Sequence, residues 1–303
     1  MTPFQQKLKG SIPAMVTAMR EDFSVDADAM KRTASSLLEH GSRGVVVLGT
    51  SGEFAGINDA QRPAAITSVV EEVCGRVPVV VGCGQPNVKR THEQARQAGD
   101  LGAEGILVNP PFYFPMTQDE VVSFFANLVE ASPVPVMLYN IPSLTKVSVE
   151  PATIPKLADV GVQGCKDSSG SPSNTLAYLA ALEPDSDFRV TVGGDAFFVH
   201  LLDAGVCAST SLMPNVCPQL TPAIHDAWEA GDYKEAFAAQ HRSNTFTDIF
   251  RPLHPFLISA AKAILSKIGL REPWAAPPKP TLSAEETAEA YEAVKSFIPD
   301  SLG

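Results

Sequence analysis

The chain has 303 residues, 45% of them hydrophobic and 19% charged, which supplies a sizeable core for two domains or for one α/β barrel of about 250 residues plus extensions. A formal net charge of −11 argues against nucleic acid or an anionic membrane surface as the main partner. Residues 1–10 are polar and no apolar run approaches the ~20 residues that span a bilayer, so a soluble, cytoplasmic protein is expected.

From Ser11 onward one pattern repeats: a short apolar run, often rich in Val and Ile, a polar or glycine-containing turn, then a stretch with apolar residues at i, i+3 and i+4. The apolar runs fall at 12–16, 44–48, 77–81, 105–108, 134–139, 162–166, 189–192 and 206–209, eight in all. Helical stretches follow them at 27–40, 59–74, 88–101, 118–131, 151–157, 173–182, 196–204 and 219–230. Asn58 or Asp59, Asn87 and Thr117 stand where the second, third and fourth need caps. The apolar runs are nearly continuous rather than alternating, as a parallel sheet covered on both faces requires. Eight βα units predict a (β/α)8 TIM barrel over residues 1–231, with a doubly wound open sheet as the alternative.

Beyond Asp232 the strand signal stops. Residues 233–250, 255–268 and 284–297 read as three helices, a C-terminal region over 232–303 packed on the barrel or on a neighbouring subunit. The connector Pro273-Trp274-Ala275-Ala276-Pro277-Pro278-Lys279-Pro280 separates the last two, because proline cannot continue a helix. Five cysteines (Cys74, Cys83, Cys165, Cys207, Cys217) lack CxxC spacing and read as reduced, mostly buried small hydrophobes. The six histidines show no ligand spacing, and none is assigned to chemistry.

In such a barrel the chemistry sits at the C-terminal strand ends. The second run leads into Gly49-Thr50-Ser51-Gly52-Glu53, whose hydroxyls and free N–H groups suit a carboxylate, although the composition also suits a plain turn. After the fourth comes Asn109-Pro110-Pro111-Phe112-Tyr113-Phe114-Pro115, a stiff aromatic loop that reads as a lid, an oligomer contact or a packed loop. The fifth ends in Tyr139, either a core tyrosine with a satisfied hydroxyl or a proton relay facing the next strand. The sixth delivers Lys166 to a turn made by Asp167, Ser168, Ser169 and Gly170. Desolvation lowers the pKa of an inward lysine and makes it a nucleophile toward carbonyl carbon; an ordinary lysine snorkelling to solvent is the other reading. Gly193-Gly194-Asp195 and the segment around Cys207 leave room for a ligand, or simply pack tight turns.

Taken in order, Gly10-Ser11-Ile12-Pro13-Ala14-Met15-Val16-Thr17, Gly49-Thr50-Ser51-Gly52-Glu53, Pro111-Phe112-Tyr113, Tyr139-Asn140-Ile141-Pro142, Gly164-Cys165-Lys166-Asp167 and Gly194-Asp195 resemble the landmarks of the dihydrodipicolinate synthase / N-acetylneuraminate lyase family of class I aldolases. The resemblance spans nearly the whole chain, C-terminal helices included. It implies that Lys166 forms a Schiff base with pyruvate or another 2-oxo acid, and that Tyr139 relays protons with Thr50 and with Tyr113 from a neighbouring subunit. It also implies that Gly49, Thr50 and Ser51 hold the substrate carboxylate, with Ser168, Gly194, Cys207 and Leu144 about the rest of the substrate. No metal or organic cofactor is implied, since the lysine itself supplies the electron sink. A homo-oligomer is implied, a homotetramer built of tight dimers or a dimer, with 112–114 near the dimer contact.

Departures from the family pattern bear on substrate. Synthases of dihydrodipicolinate carry an arginine soon after the Tyr-Asn-x-Pro segment, and here Leu144 stands there, unable to donate a bidentate pair to a carboxylate. The Gly-x-Asp of the sialic-acid lyases precedes a carboxylate, whereas Asp195 leads into Ala196-Phe197-Phe198. Lys146 is either a partner for a distal carboxylate or a solvated loop lysine. The first functional reading is therefore a Schiff-base lyase that cleaves or condenses a small 2-oxo acid by aldol chemistry, or dehydrates a 2-keto-3-deoxy sugar acid. A 4-hydroxy-tetrahydrodipicolinate synthase, joining pyruvate and aspartate semialdehyde, is weakened by Leu144. A silent metabolite-binding barrel is weakened by the intact trio Lys166, Tyr139 and Thr50.

Overall fold

A residue in a parallel barrel strand meets either the barrel interior or the surrounding helices, so both faces of each strand are apolar. The computed structural model, which describes residues 1–302, sorts the strands in this way. Val46, Val80, Leu107, Met137 and Tyr139 point into the interior cluster, while their neighbours Val45, Val47, Val79, Val81, Ile106, Val108, Val136 and Leu138 pack under the helices.

The strands are β1 (Gly10–Ser11), β2 (Val45–Val47), β3 (Val79–Gly82), β4 (Gly105–Val108), β5 (Val136–Asn140), β6 (Gly164–Asp167), β7 (Arg189–Val192) and β8 (Ala208–Ser209). All pairs are parallel, in the order β1-β8-β7-β6-β5-β4-β3-β2. The ring closes between β1 and β2, where Met15 N donates to Val46 O at 2.9 Å and Val46 N to Pro13 O at 2.8 Å. The fold is the expected (β/α)8 barrel, and the open-sheet alternative falls.

Helices α1 (Pro3–Lys7), α2 (Ala27–Glu39), α3 (Arg62–Val73), α4 (Val88–Asp100) and α5 (Gln118–Ala131) are followed by α6 (Pro142–Thr145), α7 (Thr153–Asp159), α8 (Pro172–Ala181), α9 (Phe198–Asp203) and α10 (Leu220–Glu229). Asn87 and Thr117 cap α4 and α5 as expected, accepting from Arg90 N and Glu120 N. Asn58 and Asp59 do not cap α3. It begins later, at Arg62, and Asp59 instead pairs with Arg90 while Asn58 closes a turn on Gln61 N. The first strand lies just before the expected run 12–16, at Gly10–Ser11; Pro13 has no N–H to give, and beyond it Ala14 N still bonds toward β8, to Ser211 O, and Met15 N toward β2.

The C-terminal helices are α11 (Tyr233–Phe250), α12 (Leu257–Lys267) and α13 (Ala284–Val294). They share a second core in which Phe246, Phe250, Ala260, Ile264, Ala290 and Val294 meet Val216 and Leu220 of the barrel. Among the described residues no helix is long and apolar enough to cross a membrane. All five cysteines are free, and only Cys74 is exposed.

Helix α1 was not foreseen. A capping box on Thr2 and Gln5 starts it, and Phe4 and Leu8 then close the N-terminal end of the barrel interior. The absent side chain of Gly105 makes room for the plug, since a Cβ there would lie 2.5 Å from the Phe4 ring. Phe4→Ala should cost about 3 kcal/mol, as large-to-small changes at a closed core site do. A lower urea midpoint checks it, and an unchanged midpoint would make the plug dispensable.

Candidate active site

The alternation that puts Tyr139 inside also puts Lys166 inside, since Cα of Tyr139 stands opposite Cα of Lys166 in the β5–β6 register and Cys165 faces the helices. Lys166 is only 5% exposed. Its Nζ lies over the Tyr139 ring, 4.4 Å from the centroid, a distance at which the ring quadrupole attracts an ammonium. The Tyr139 hydroxyl shares a hydrogen bond of 3.3 Å with Thr50 Oγ1 at the end of β2. Three residues distant in sequence thus form one chain of contact, amine to ring to hydroxyl.

Two cavities open at the strand ends, one bordered by Thr50 and the other by Asp167, the residue after Lys166. The first, about 290 Å³, is lined by Thr50, Asn109, Phe112, Ile141, Leu144 and Lys279 among others, and Leu144 is 59% exposed at its wall. Gly49 joins Thr50 and Tyr139 around a narrow hollow beside it. The second, about 320 Å³, lies over the ends of β6 and β7 between Ser168, Ser169, Gly193, Gly194, Phe197 and Arg251. Gly193 has no room for a side chain, because a Cβ there would overlap Ser168 Oγ.

Buried carboxylates brace the rim. Asp167 accepts from Asn140 Nδ2 at 2.9 Å, from Ser169 N and Oγ at 3.0 Å, from Asn174 Nδ2 at 3.1 Å and from Thr175 Oγ1 at 2.7 Å. Asp195 accepts from the hydroxyls of Ser209, Ser211 and Thr221. Burial pushes its carboxyl above the ordinary range, against the pull of those hydroxyls and of Lys166.

The expected site residues do not all converge. Lys166, Tyr139, Thr50 and Gly49 come together; Ser51 follows on the same turn, Ser168 and Gly194 line the second cavity, and Leu144 lines the first. Cys207 lies away from the rim, in the interior cluster with Leu8 and Ile12, its thiol donating to Val190 O at 3.2 Å. Tyr113 is 82% exposed, with a left-handed φ of 89°. Lys146 turns away from both cavities and donates to Ser143 O at 2.8 Å. His225, Asp226 and Glu229 do approach one another, but Arg43 already donates to Asp226 at 2.8 Å and to Glu229 at 3.4 Å.

Sequence reasoning missed Arg251 and Lys279, and it took Glu53 only as part of a turn. Glu53 is buried in an ion pair with Lys262, and burial pushes the Lys262 ammonium down to about 8 against the pull of Glu53. One signal was available: Lys262 interrupts the apolar run Ala260-Ala261-Lys262-Ala263-Ile264-Leu265, where a solvent-facing residue is out of place.

Residues 7–297 match the model of the dihydrodipicolinate synthetase family. The chain belongs to that family. A 4-hydroxy-tetrahydrodipicolinate synthase of Methanopyrus kandleri is 31% identical over 93% of this chain and 94% of its own length. An Escherichia coli protein named probable 2-dehydro-3-deoxy-D-pentonate aldolase is 30% identical over 94% and 95%. In structure the chain resembles YagE, a prophage protein of the dihydrodipicolinic acid synthase family from Escherichia coli solved in complex with pyruvate. The TM-score is 0.90 at 26% identity, over 95% of this chain and 98% of that one. As a member of the dihydrodipicolinate synthetase family the chain is a lyase of the class I aldolase type.

Asp167 sits one residue from Lys166 and ties β5, β6 and α8 together. Asp167→Ala leaves several buried donors without an acceptor and should cost about 3 kcal/mol or more, read as a lower urea midpoint. A variant as stable as the parent would show that water replaces the carboxylate.

Proposed function

We propose that this lyase acts on a small 2-oxo acid through an imine on Lys166. The observation that carries the reading is the contact of Lys166 Nζ with the Tyr139 ring, 4.4 Å from its centroid, together with the 3.3 Å bond from Tyr139 to Thr50. A neutral amine adds to the 2-oxo carbon; with one proton taken up and water released, a protonated imine remains. That cation drains electrons from C3. Cleavage of the C3–C4 bond then releases an aldehyde and leaves an enamine, while loss of a C3 proton followed by departure of a C4 hydroxyl as water gives dehydration. Both routes need a proton moved at the oxygen that leaves or arrives, and the Tyr139 hydroxyl, steadied by Thr50, is the group placed for it. Thr50 and Ser51 take the 2-oxo acid carboxylate.

Tyr113 has no role within its own subunit in this reading. Its exposed ring stacks edge-on with Phe114, centroids 5.1 Å apart, beside the Phe112 that lines the Thr50 cavity. An exposed aromatic pair of this kind suits a contact between copies, with Tyr113 of the partner subunit completing the relay in a dimer or a tetramer of dimers.

The far end of the substrate falls to the cavity holding Ser168, Ser169 and Arg251. Those hydroxyls and that guanidinium suit a short polyhydroxy or acidic tail, in keeping with a 2-keto-3-deoxy acid. The synthase reading is favoured by the Methanopyrus relative, but Leu144 offers no donor to the carboxylate of aspartate semialdehyde.

Borohydride added with pyruvate should fix a reduced adduct on Lys166, seen by mass spectrometry, and Lys166→Ala should fold normally, lose the adduct and lose turnover. Absence of an adduct with every 2-oxo acid tried ends the imine mechanism and favours a binding barrel, while activity in the alanine variant ends the role of Lys166 as the nucleophile. Tyr139→Phe should still form some imine but turn over about 10²–10⁴-fold more slowly, and an unchanged rate removes Tyr139 from the relay. Arg251→Ala should raise the KM of a 2-keto-3-deoxy acid with a terminal carboxylate about tenfold while leaving pyruvate trapping unchanged. An unaltered KM places the tail elsewhere.

A further inference from the structure

The loop that carries Thr50 and Ser51 ends in Glu53, which breaks two local rules. Its backbone is left-handed, φ 57° and ψ 34°, a conformation that crowds the Cβ of a side-chain-bearing residue against its own backbone. Its carboxylate is fully buried. Both departures serve one contact, because the carboxylate reaches the C-terminal helices rather than the barrel.

Oε1 of Glu53 accepts from Ala276 N at 2.8 Å, and the other carboxylate oxygen pairs with Lys262 Nζ, whose side chain is also fully buried. Lys262 Nζ in turn donates to Trp274 O at 2.8 Å, so one ion pair holds both α12 and the proline-rich connector. Lys279 of that connector stands 3.9 Å from Glu53 and lines the same cavity as Thr50. Contact between the two segments continues beyond the charges: a Cβ on Gly56 would lie 2.6 Å from Ala276 Cβ, so only glycine lets the connector lie this close. On the other side of the loop, Thr17 Oγ1 donates to Gly52 O at 2.6 Å, so the turn is held between the barrel and the connector.

A buried ion pair is poor value as a stabiliser, since apolar residues of similar volume commonly do as well or better. What it does supply is direction, because a carboxylate with two fixed donors has one position. We propose that Glu53 is a positioning residue: by gripping Lys262 and the Ala276 N–H it sets the Thr50–Ser51 turn to receive the 2-oxo acid carboxylate, so the C-terminal extension governs affinity for the keto acid. This rests on the reading of Thr50 and Ser51 as the carboxylate site.

The test compares wild type, Glu53→Asp and the double variant Glu53→Gln/Lys262→Met, which removes both charges of the pair together, while buried Arg271, which also faces Glu53, keeps its bonds to Val16 O and Thr33 Oγ1. Each is measured for its urea midpoint, for the pyruvate concentration giving half-maximal borohydride-trapped adduct on Lys166, and for turnover at saturating substrate. The double variant should keep a midpoint near that of wild type, yet need about tenfold more pyruvate, with turnover at saturation within about threefold. Glu53→Asp, which keeps the charge but withdraws it by one methylene, should shift the pyruvate requirement in the same direction. A stable double variant that traps pyruvate at the wild-type concentration overturns the proposal and makes the pair purely structural. Should the double variant fail to fold, wild-type trapping by Glu53→Asp overturns it instead. Wild-type protein that gives no adduct sinks the imine reading, and this proposal with it, before any variant is compared.

Discussion

The site depends on the register between β5 and β6. In a parallel pair the partners lie side by side at a fixed spacing, so Tyr139 and Lys166 are neighbours whatever the loops above them do. Moving either strand by one residue would send its side chain under the helices, where Leu138 and Cys165 now sit. The contact between Tyr139 and Lys166 is therefore protected by the whole hydrogen-bonded ring. The paired residues belong to strands, while Leu144, Ser168 and Phe197, which line the cavities, belong to the segments above them.

Rigidity at the rim has a different origin. Asp167 and Asp195 each gather hydroxyl or amide donors from separate elements, converting flexible strand-to-helix turns into fixed walls. The cost is the burial of charge, visible in the upward push on the Asp195 carboxyl. The barrel thus carries two layers of constraint, an apolar one below Lys166 and a polar one above it. Leu144, Phe197 and Arg251, which line the two cavities, are held by neither layer.

The barrel was legible because its strands are apolar on both faces and its helices are not, a contrast that survives without any tertiary knowledge. Lys166 and Tyr139 were legible as strand ends, although only the register shows that they touch. Helix α1 escaped because a five-residue helix has no periodicity to read; its function depends on the absent side chain of Gly105, far along the chain. Asp59 was misread as a cap since its type fits one, while its nearest cation, Arg90, belongs to the next helix. Cys207 was placed at the rim because it belongs to the last strand, but β8 is short and the thiol lies toward the plugged end. Long-range charge pairing was the least legible feature, since nothing in a sequence links position 53 to position 262.

That span has a consequence for how the protein is made. A chain leaving the ribosome has all eight strands once Ser209 is out, yet Glu53 lacks its cation until Lys262 follows and its amide donor until Ala276 does. A nascent barrel can close its sheet while the turn from Gly49 to Glu53 is still untethered. Synthesis of residues 262–276, rather than closure of the barrel, supplies the partners of that turn, so a chain stopped before them leaves Glu53 without its cation and its amide donor.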